Sequence, residues 1–494
     1  MGREHSEPRP DGPYADHARP DRVRVDPVQA GRTQTDHTQA GHPQIDPVRV
    51  EPARVDPVRV DPARVDPVRV DPARVDPVRV DPARVDPVRV GPVRATPAPR
   101  ITAVAHEAGA AVKGAGLLTR VERALGTGTA VYLPGDGWIR LTLPLHDAGP
   151  APVTVEVLAD TTRVPHGIAY LLPGGGLNFT ADYFTPDGHA GGGLAHHLRR
   201  QGLLVVGVTP REDAAGGPAD VGADRGLAAH RRDLAGVVAA LDAVLRLPYQ
   251  YAGHSAGGAL ALDAASHDPS PRLRRVLVLD TTGPYTGDPA ARAARTRDEY
   301  ADLVAGGTYA SDPGLAALVA RAVTDPHSPS PVPWPPDPGL RFTNAGLAHF
   351  ALIRTADLPG AANWIHRRGH AAGEYVFGAT PAEDRFALTH TPLATWHAAT
   401  AALGSGLIPT ALLRDLAAIW AGDEATYRIA WDRIRAEVVW VNAQWGRGDE
   451  SRGADLIRAC GNTRVTFTTV PGHGHADVVW SPTAPTDVWP LLRP

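Results

Sequence analysis

From Asp46 to Val90 the chain repeats every five residues as [D/E]-P-[V/A]-R-V, so a proline returns at each fifth position. No helix tolerates that spacing, because proline lacks an amide hydrogen and restrains the residue before it to extended geometry. The repeat holds no aromatic residue around which a core could form, and its alternating acids and arginines keep an extended chain hydrated. Residues 1–100 are therefore read as a disordered or polyproline-like arm outside any folded domain. Its partner is unknown. It could be a spacer or docking arm, or only a repeat expansion or a misassigned start.

Composition narrows what the remainder can do. A formal charge of −4 argues against the extended basic surface that nucleic acid requires, so no nucleic-acid partner is expected. Cys460 is the single cysteine, which excludes an intrachain disulfide, a cysteine zinc site and an iron–sulfur cluster. Lys113 is the single lysine; its setting A-V-K-G-A-G is not a P-loop, and the glycines that follow do not complete a dinucleotide fingerprint. No cofactor and no metal are expected. The N-terminus lacks an apolar signal core, and no run of eighteen apolar residues occurs, so a cytoplasmic protein without a membrane span is expected. Gly2 and Ser6 fit a short myristoylation pattern, which means nothing without the matching acyltransferase.

From about residue 129 the pattern becomes that of a folded α/β protein. T-A-V-Y-L, W-I-R-L-T-L-P-L and V-T-V-E-V-L read as early strands, with G-D-G and D-A-G-P as turns. The buried run Ile168 to Leu172 ends in P-G-G-G. A helix is expected over Gly193 to Gln201, a strand in L-L-V-V-G-V, and an amphipathic helix over Leu227 to Leu245. A strand from Pro248 to Ala252 then runs into G-H-S-A-G-G, an alanine-rich helix follows, and another strand covers Val276 to Leu279. Such alternation implies a mostly parallel sheet covered on both faces. It resumes at Val438 to Asn442, with a further strand in T-R-V-T-F-T-T-V and a terminal helix from about Ala484. The expected organisation is an arm over 1–100, core over 101–283, a helical lid with a proline-rich loop over 284–434, and core again over 435–494.

Gly253-His254-Ser255-Ala256-Gly257 matches G-x-S-x-G, in which a strand turns sharply into a helix and presents a serine hydroxyl at the helix start. The glycines let chain segments pass closely while the serine is held in strained geometry. A serine is a weak nucleophile at neutral pH, so it needs an imidazole to take its proton and a carboxylate to orient that imidazole.

The motif and its setting resemble the α/β-hydrolase superfamily, and the resemblance covers the chain from about residue 129 to its end. It implies a triad in the chain order serine, acid, histidine, with Ser255, Asp449 and His475 in those places. Asp449 lies in W-G-R-G-D-E after a strand, where the family carries its acid in a G-x-x-D setting, and His475 lies in P-G-H-G-H-A-D, like the family's G-H loop. Asp280, at the end of the preceding sheet strand, is the alternative acid, and His473 the alternative histidine, otherwise a solvent-facing loop residue. Oxyanion donors are expected from the amides of Ala256 and of Gly175 or Gly176; P-G-G-G resembles the family's H-G-G-G element with Pro173 in place of its histidine.

A serine nucleophile implies acyl transfer and disfavours the epoxide hydrolase and dehalogenase activities that use aspartate there. The resulting expectation is a cofactor-free hydrolase of carboxylic esters, thioesters or lactones acting on a small molecule. Alternatives are a peptidase resembling proline iminopeptidases and, in a different class, a non-catalytic binding or scaffold module. Ser255 could otherwise be an ordinary helix cap. Trp334, Trp364, Trp396, Trp420 and Trp431 could wall a bulky apolar pocket or simply be core. His196 and His197 lack metal-partner spacing and read as surface residues.

Overall fold

A computed structural model describes residues 115–125, 131–135, 138–145, 152–184 and 192–493. The arm expected over 1–100, Lys113 and most of the two early turns lie outside the described residues.

One nine-stranded sheet organises the chain. Its strands are β1 (Val131–Gly135), β2 (Trp138–Leu145), β3 (Val153–Asp160), β4 (Gly167–Leu172), β5 (Leu203–Thr209), β6 (Tyr249–His254), β7 (Leu273–Leu279), β8 (Glu437–Ala443) and β9 (Val465–Val470). They lie in the order β1-β2-β3-β5-β4-β6-β7-β8-β9. Pairing is antiparallel from β1 to β5 across that edge and parallel from β5 to β9. The apolar run of β4 follows from its place between β5 and β6, where all six of its residues are buried.

After β4 the chain steps outward to β5 on one side, and after β6 it steps to β7 on the other. The loops leaving β4 and β6 therefore diverge to opposite faces, and a crevice opens between them at the carboxyl ends of the strands. The P-G-G-G loop follows β4 and Ser255 follows β6, so both sit at this point.

The helices meet the sheet as their spacing requires. Leu227–Leu245 buries Leu234, Val237, Val238, Leu241 and Leu245, one stripe of a 3.6-residue repeat, and each such side chain contributes about 1.5–3 kcal/mol of burial. Ala256–His267 is built of Ala and Gly over most of its buried face, which lets it approach β6 and β7 closely.

Between β7 and β8 the chain runs through helices Gly287–Ala305, Leu315–Thr324, Asn344–Ile353, Leu393–Ala401 and Thr410–Ala421. The segment expected as a proline-rich loop is instead a two-stranded hairpin, Pro329–Trp334 against Asp337–Thr343, with irregular register. Proline is tolerated there because each strand has a free edge. A second hairpin pairs Gly373–Val376 with Arg385–Leu388. Trp334, Trp396 and Trp420 are core residues: Trp334 packs with Phe342 and Phe350, and Trp396 stands edge-on to Trp480 at 4.7 Å. The expected terminal helix is reduced to Ala484–Asp487 and a 3-10 turn, Trp489–Leu492.

His196 and His197, expected at the surface, are buried. His196 packs on Trp138 at 4.9 Å and His197 on Trp489 at 5.2 Å, and burial lowers both pKa values to about 4. No helix among the described residues is long and apolar enough to cross a membrane.

Candidate active site

β6 ends at His254, and Ser255 turns the chain into the helix Ala256–His267 with φ 56° and ψ −120°. A non-glycine residue held there stores about 1–3 kcal/mol of strain, which the surroundings must overdetermine. They do so through two glycines. A Cβ on Gly253 would lie 2.0 Å from the Gly257 carbonyl oxygen, and one on Gly257 would lie 1.9 Å from that of Leu172. The Ser255 amide donates to Leu279 O at 2.9 Å, extending the β6–β7 ladder by one residue.

Only three non-glycine residues among those described have positive φ, and Asp280 is another, at 43°. It follows β7 directly and is fully buried. Its Oδ1 accepts the amides of Ala443 at 2.6 Å and Arg447 at 3.1 Å, and its Oδ2 lies 2.5 Å from His475 Nδ1. Burial pushes its pKa up to about 6, against the opposing pull of Arg447 and the two amides. At neutral pH it is a carboxylate, ready to accept Nδ1–H.

Asp449 is not in this position. Its side chain is 83% exposed and pairs with Arg367 at 2.6 Å. The physical reason lies three residues earlier: a Cβ at Gly446 would stand 2.0 Å from Asp280 Oδ2. The loop after β8 thus brings a bare backbone against the carboxylate of Asp280, and by Asp449 the chain has reached the surface. The expectation of Asp449 as the acid beside the histidine is corrected to Asp280.

His475 is buried on the loop after β9. Burial, then Arg447 and neighbouring histidines, hold its pKa well below the ordinary value, so the resting ring is neutral. With Nδ1 committed to Asp280, Nε2 is the nitrogen left for chemistry. His473 is not solvent-facing: it is buried and stacked on His390 at 4.0 Å. Asp477, fully buried, accepts the amides of Gly474 and Ala372 at 2.7 Å each and the Thr391 hydroxyl at 2.6 Å, which ties the His475 loop to residues 372–391.

Gly174 to Leu177 form a turn closed by Leu177 N to Gly174 O at 3.0 Å. It lies against the elbow, since a Cβ on Gly174 would meet Ser255 Cβ at 3.4 Å and one on Gly175 would meet Ala256 Cβ at 3.7 Å. The Gly174 amide is already given to Asp182 at 2.8 Å, whereas those of Gly175 and Gly176 donate to no protein acceptor among the described residues. Gly176, at φ 73°, needs the freedom of glycine. Among the described residues no three His, Cys, Asp or Glu side chains converge as metal ligands do.

No protein-family model matches the chain, and no curated protein matches it. Among solved structures, a candidate lipase of Sulfolobus solfataricus aligns with a TM-score of 0.50 at 14% identity, over 74% of this chain and 98% of its own. The fold is that of the α/β-hydrolases. Esterase E22 aligns at 15% identity with a TM-score of 0.39, over 70% of this chain and 96% of its own. The 2-hydroxy-6-oxo-6-phenylhexa-2,4-dienoate hydrolase of a Rhodococcus strain aligns at 12% with 0.36, over 74% and 98%.

This α/β-hydrolase fold carries further site residues that sequence reasoning missed. His254, inside the elbow motif, faces Asp182, with Nδ1 3.2 Å from Oδ1, and its Nε2 donates to His475 O at 3.1 Å. Burial disfavours its charge, but the Asp182 carboxylate outweighs that and raises its pKa. Asp182 also holds the Gly174 amide, so this pair joins the glycine loop, the elbow and the His475 loop. A strap at residues 366–370 closes over His475: His366 stands edge-on to it at 4.9 Å and His370 lies at 5.5 Å. The strap is stitched to the loop after β8 by Arg367 N to Gly446 O at 2.7 Å and Arg368 N to Trp445 O at 2.9 Å. The histidines 254, 366 and 370 stand far apart from His475 in sequence or off any motif, so no local pattern announces them.

Proposed function

We propose that the protein is a serine hydrolase that cleaves a carboxylic ester, thioester or lactone through an acyl-enzyme. Ser255 is the nucleophile, His475 the general base and acid, and Asp280 the carboxylate that orients and stabilises His475. The amides of Ala256 and of Gly175 or Gly176 receive the oxyanion. In this reading residues 284–434 are a lid over the site, and the described residues within 115–283 and 435–493 are the hydrolase core.

The observation that carries this reading is the 2.5 Å approach of Asp280 Oδ2 to His475 Nδ1, beside a serine strained to φ 56° at the neighbouring strand end. In the first step Ser255 Oγ bonds to the carbonyl carbon while its proton passes to His475 Nε2. The carbonyl π electrons move onto oxygen, where fixed amides meet the charge. The imidazolium, paired with Asp280, then gives that proton to the leaving alkoxide or thiolate as its bond to carbon breaks. Water repeats the sequence against the acyl-enzyme, with His475 taking a proton from it and returning one to Ser255. A neutral resting His475 and an ionised Asp280 are the protonation states this cycle needs.

A fluorophosphonate probe tests the reading: it should label the wild-type chain and leave Ser255→Ala unlabelled. Equal labelling of both would remove Ser255 as nucleophile. A panel of 4-nitrophenyl esters against aminoacyl anilides separates an esterase from a peptidase, and esters are expected to turn over faster.

A further inference from the structure

Arg447 follows Gly446 in the loop after β8, and its backbone amide is one of the two donors to Asp280. Its side chain is buried. Among the described residues the guanidinium makes no hydrogen bond, no carboxylate oxygen lies within 4.0 Å of it, and Nη1 is wholly enclosed without a partner. A second enclosed polar atom without a partner, His366 Nδ1, belongs to the strap bonded to the same loop. Buried guanidinium groups are almost always hydrogen-bonded, and an orphaned one in a reaction site calls for an acceptor that arrives from outside.

The surroundings say what kind of acceptor. The Arg447 charge bears on Asp280, His475, His366, His370 and Tyr285, so it stands among the groups around the reacting centre. His366 and His370 are both held neutral, the first well below the ordinary value and the second at about 3, by burial and then by Arg447 itself. Asp280 is occupied by two amides and the His475 ring. This leaves a guanidinium whose charge faces Asp280 but which makes no hydrogen bond among the described residues, a planar five-donor fork suited to a carboxylate, with the neutral His366 on the strap bonded to the same loop.

We propose that Arg447 binds a carboxylate of the substrate, so that the ester cleaved carries a free carboxylate close to its scissile carbonyl, as the half-ester of a short dicarboxylic acid does. This rests on the serine hydrolase reading and adds a substrate class to it.

The test compares 4-nitrophenyl hydrogen glutarate with neutral 4-nitrophenyl valerate. Wild type should favour the anionic ester by roughly tenfold or more in kcat/KM. Arg447→Gln should lose about a hundredfold on the anionic ester, chiefly through KM, and only about threefold on the neutral one, with partial recovery in Arg447→Lys. Equal losses on both esters are what a guanidinium acting only as counter-charge to Asp280 would give, and would overturn the assignment. A wild-type measurement covers the case of a variant that does not fold: free glutarate should slow fluorophosphonate labelling of Ser255, and glutaramide should not. If neither slows it, Arg447 is not a carboxylate site, whereas absence of labelling in untreated wild type would sink the hydrolase reading itself. Carboxylate on the leaving-group side is read from 4-acetoxybenzoate against phenyl acetate: a preference there, with none for the glutarate ester, refutes the half-ester form.

Discussion

The loops leaving β7 and β8 each present an aspartate, and the two could hardly be treated more differently. Asp280 follows its strand directly, at φ 43°, fully buried, with two amides and an imidazole as partners. Asp449 comes six residues after the end of its strand (449 − 443), faces solvent, and shares Arg367 with Glu450. A carboxylate governs an imidazole only if water cannot compete for it, so enclosure decides between the two acids. Enclosure in turn depends on Gly446, which offers the buried carboxylate a surface without a side chain.

Closing that space should have a large effect. In Gly446→Ala the new Cβ falls 2.0 Å from Asp280 Oδ2, so the carboxylate must leave His475, and kcat/KM should drop about a thousandfold or more while Ser255 stays in place. Retained activity would mean that Asp280 is dispensable. At the elbow, Gly257→Ala sets a Cβ 1.9 Å from the Leu172 carbonyl oxygen and should destabilise the fold by about 3–4 kcal/mol, seen as a lower midpoint in urea.

A pH series sharpens the contrast through the raised pKa of Asp280, about 6 against 3.8 for an unburied carboxyl. The proposed cycle requires the ionised form, so activity should rise with pH through about 6. Stability runs the other way. A raised carboxyl pKa favours the folded state most when the group is protonated, and that contribution is lost as pH climbs through the folded value. Relative to Asp280→Asn, wild type should therefore lose about 2 kcal/mol between pH 4 and pH 7. A flat difference between the two unfolding curves would contradict the buried carboxylate. The smallest effect belongs to the surface acid: Asp449→Asn should change stability by less than about 1 kcal/mol, and less still at high salt.

Much of this architecture was legible because it is local. The helix Leu227–Leu245 follows from its apolar stripe, and β4 from an unbroken apolar run. G-H-S-A-G is legible because close backbone packing forces glycine at fixed offsets from the serine. What escaped the sequence is convergence between distant loops. Asp182 meets His254 across 72 residues (254 − 182), Asp280 meets His475 across 195 (475 − 280), and neither spacing has a pattern. W-G-R-G-D points to Asp449 only by its acid; the residues that matter structurally in it are Gly446 and Arg447. The hairpin at 329–343 escaped because its prolines argue against a strand unless both partners are edges. His196 and His197 escaped because nothing local shows that Trp138 and Trp489 will cover them.

Steady-state kinetics of Asp280→Asn and Asp449→Asn, side by side on one neutral 4-nitrophenyl ester at pH 8, bears most directly on which acid the histidine uses. Asparagine at 280 keeps the shape but offers His475 an amide in place of a carboxylate, so kcat/KM should fall about ten-thousandfold, while asparagine at 449 should leave it within about twofold of wild type. A crippled Asp449→Asn beside a nearly normal Asp280→Asn would contradict the account.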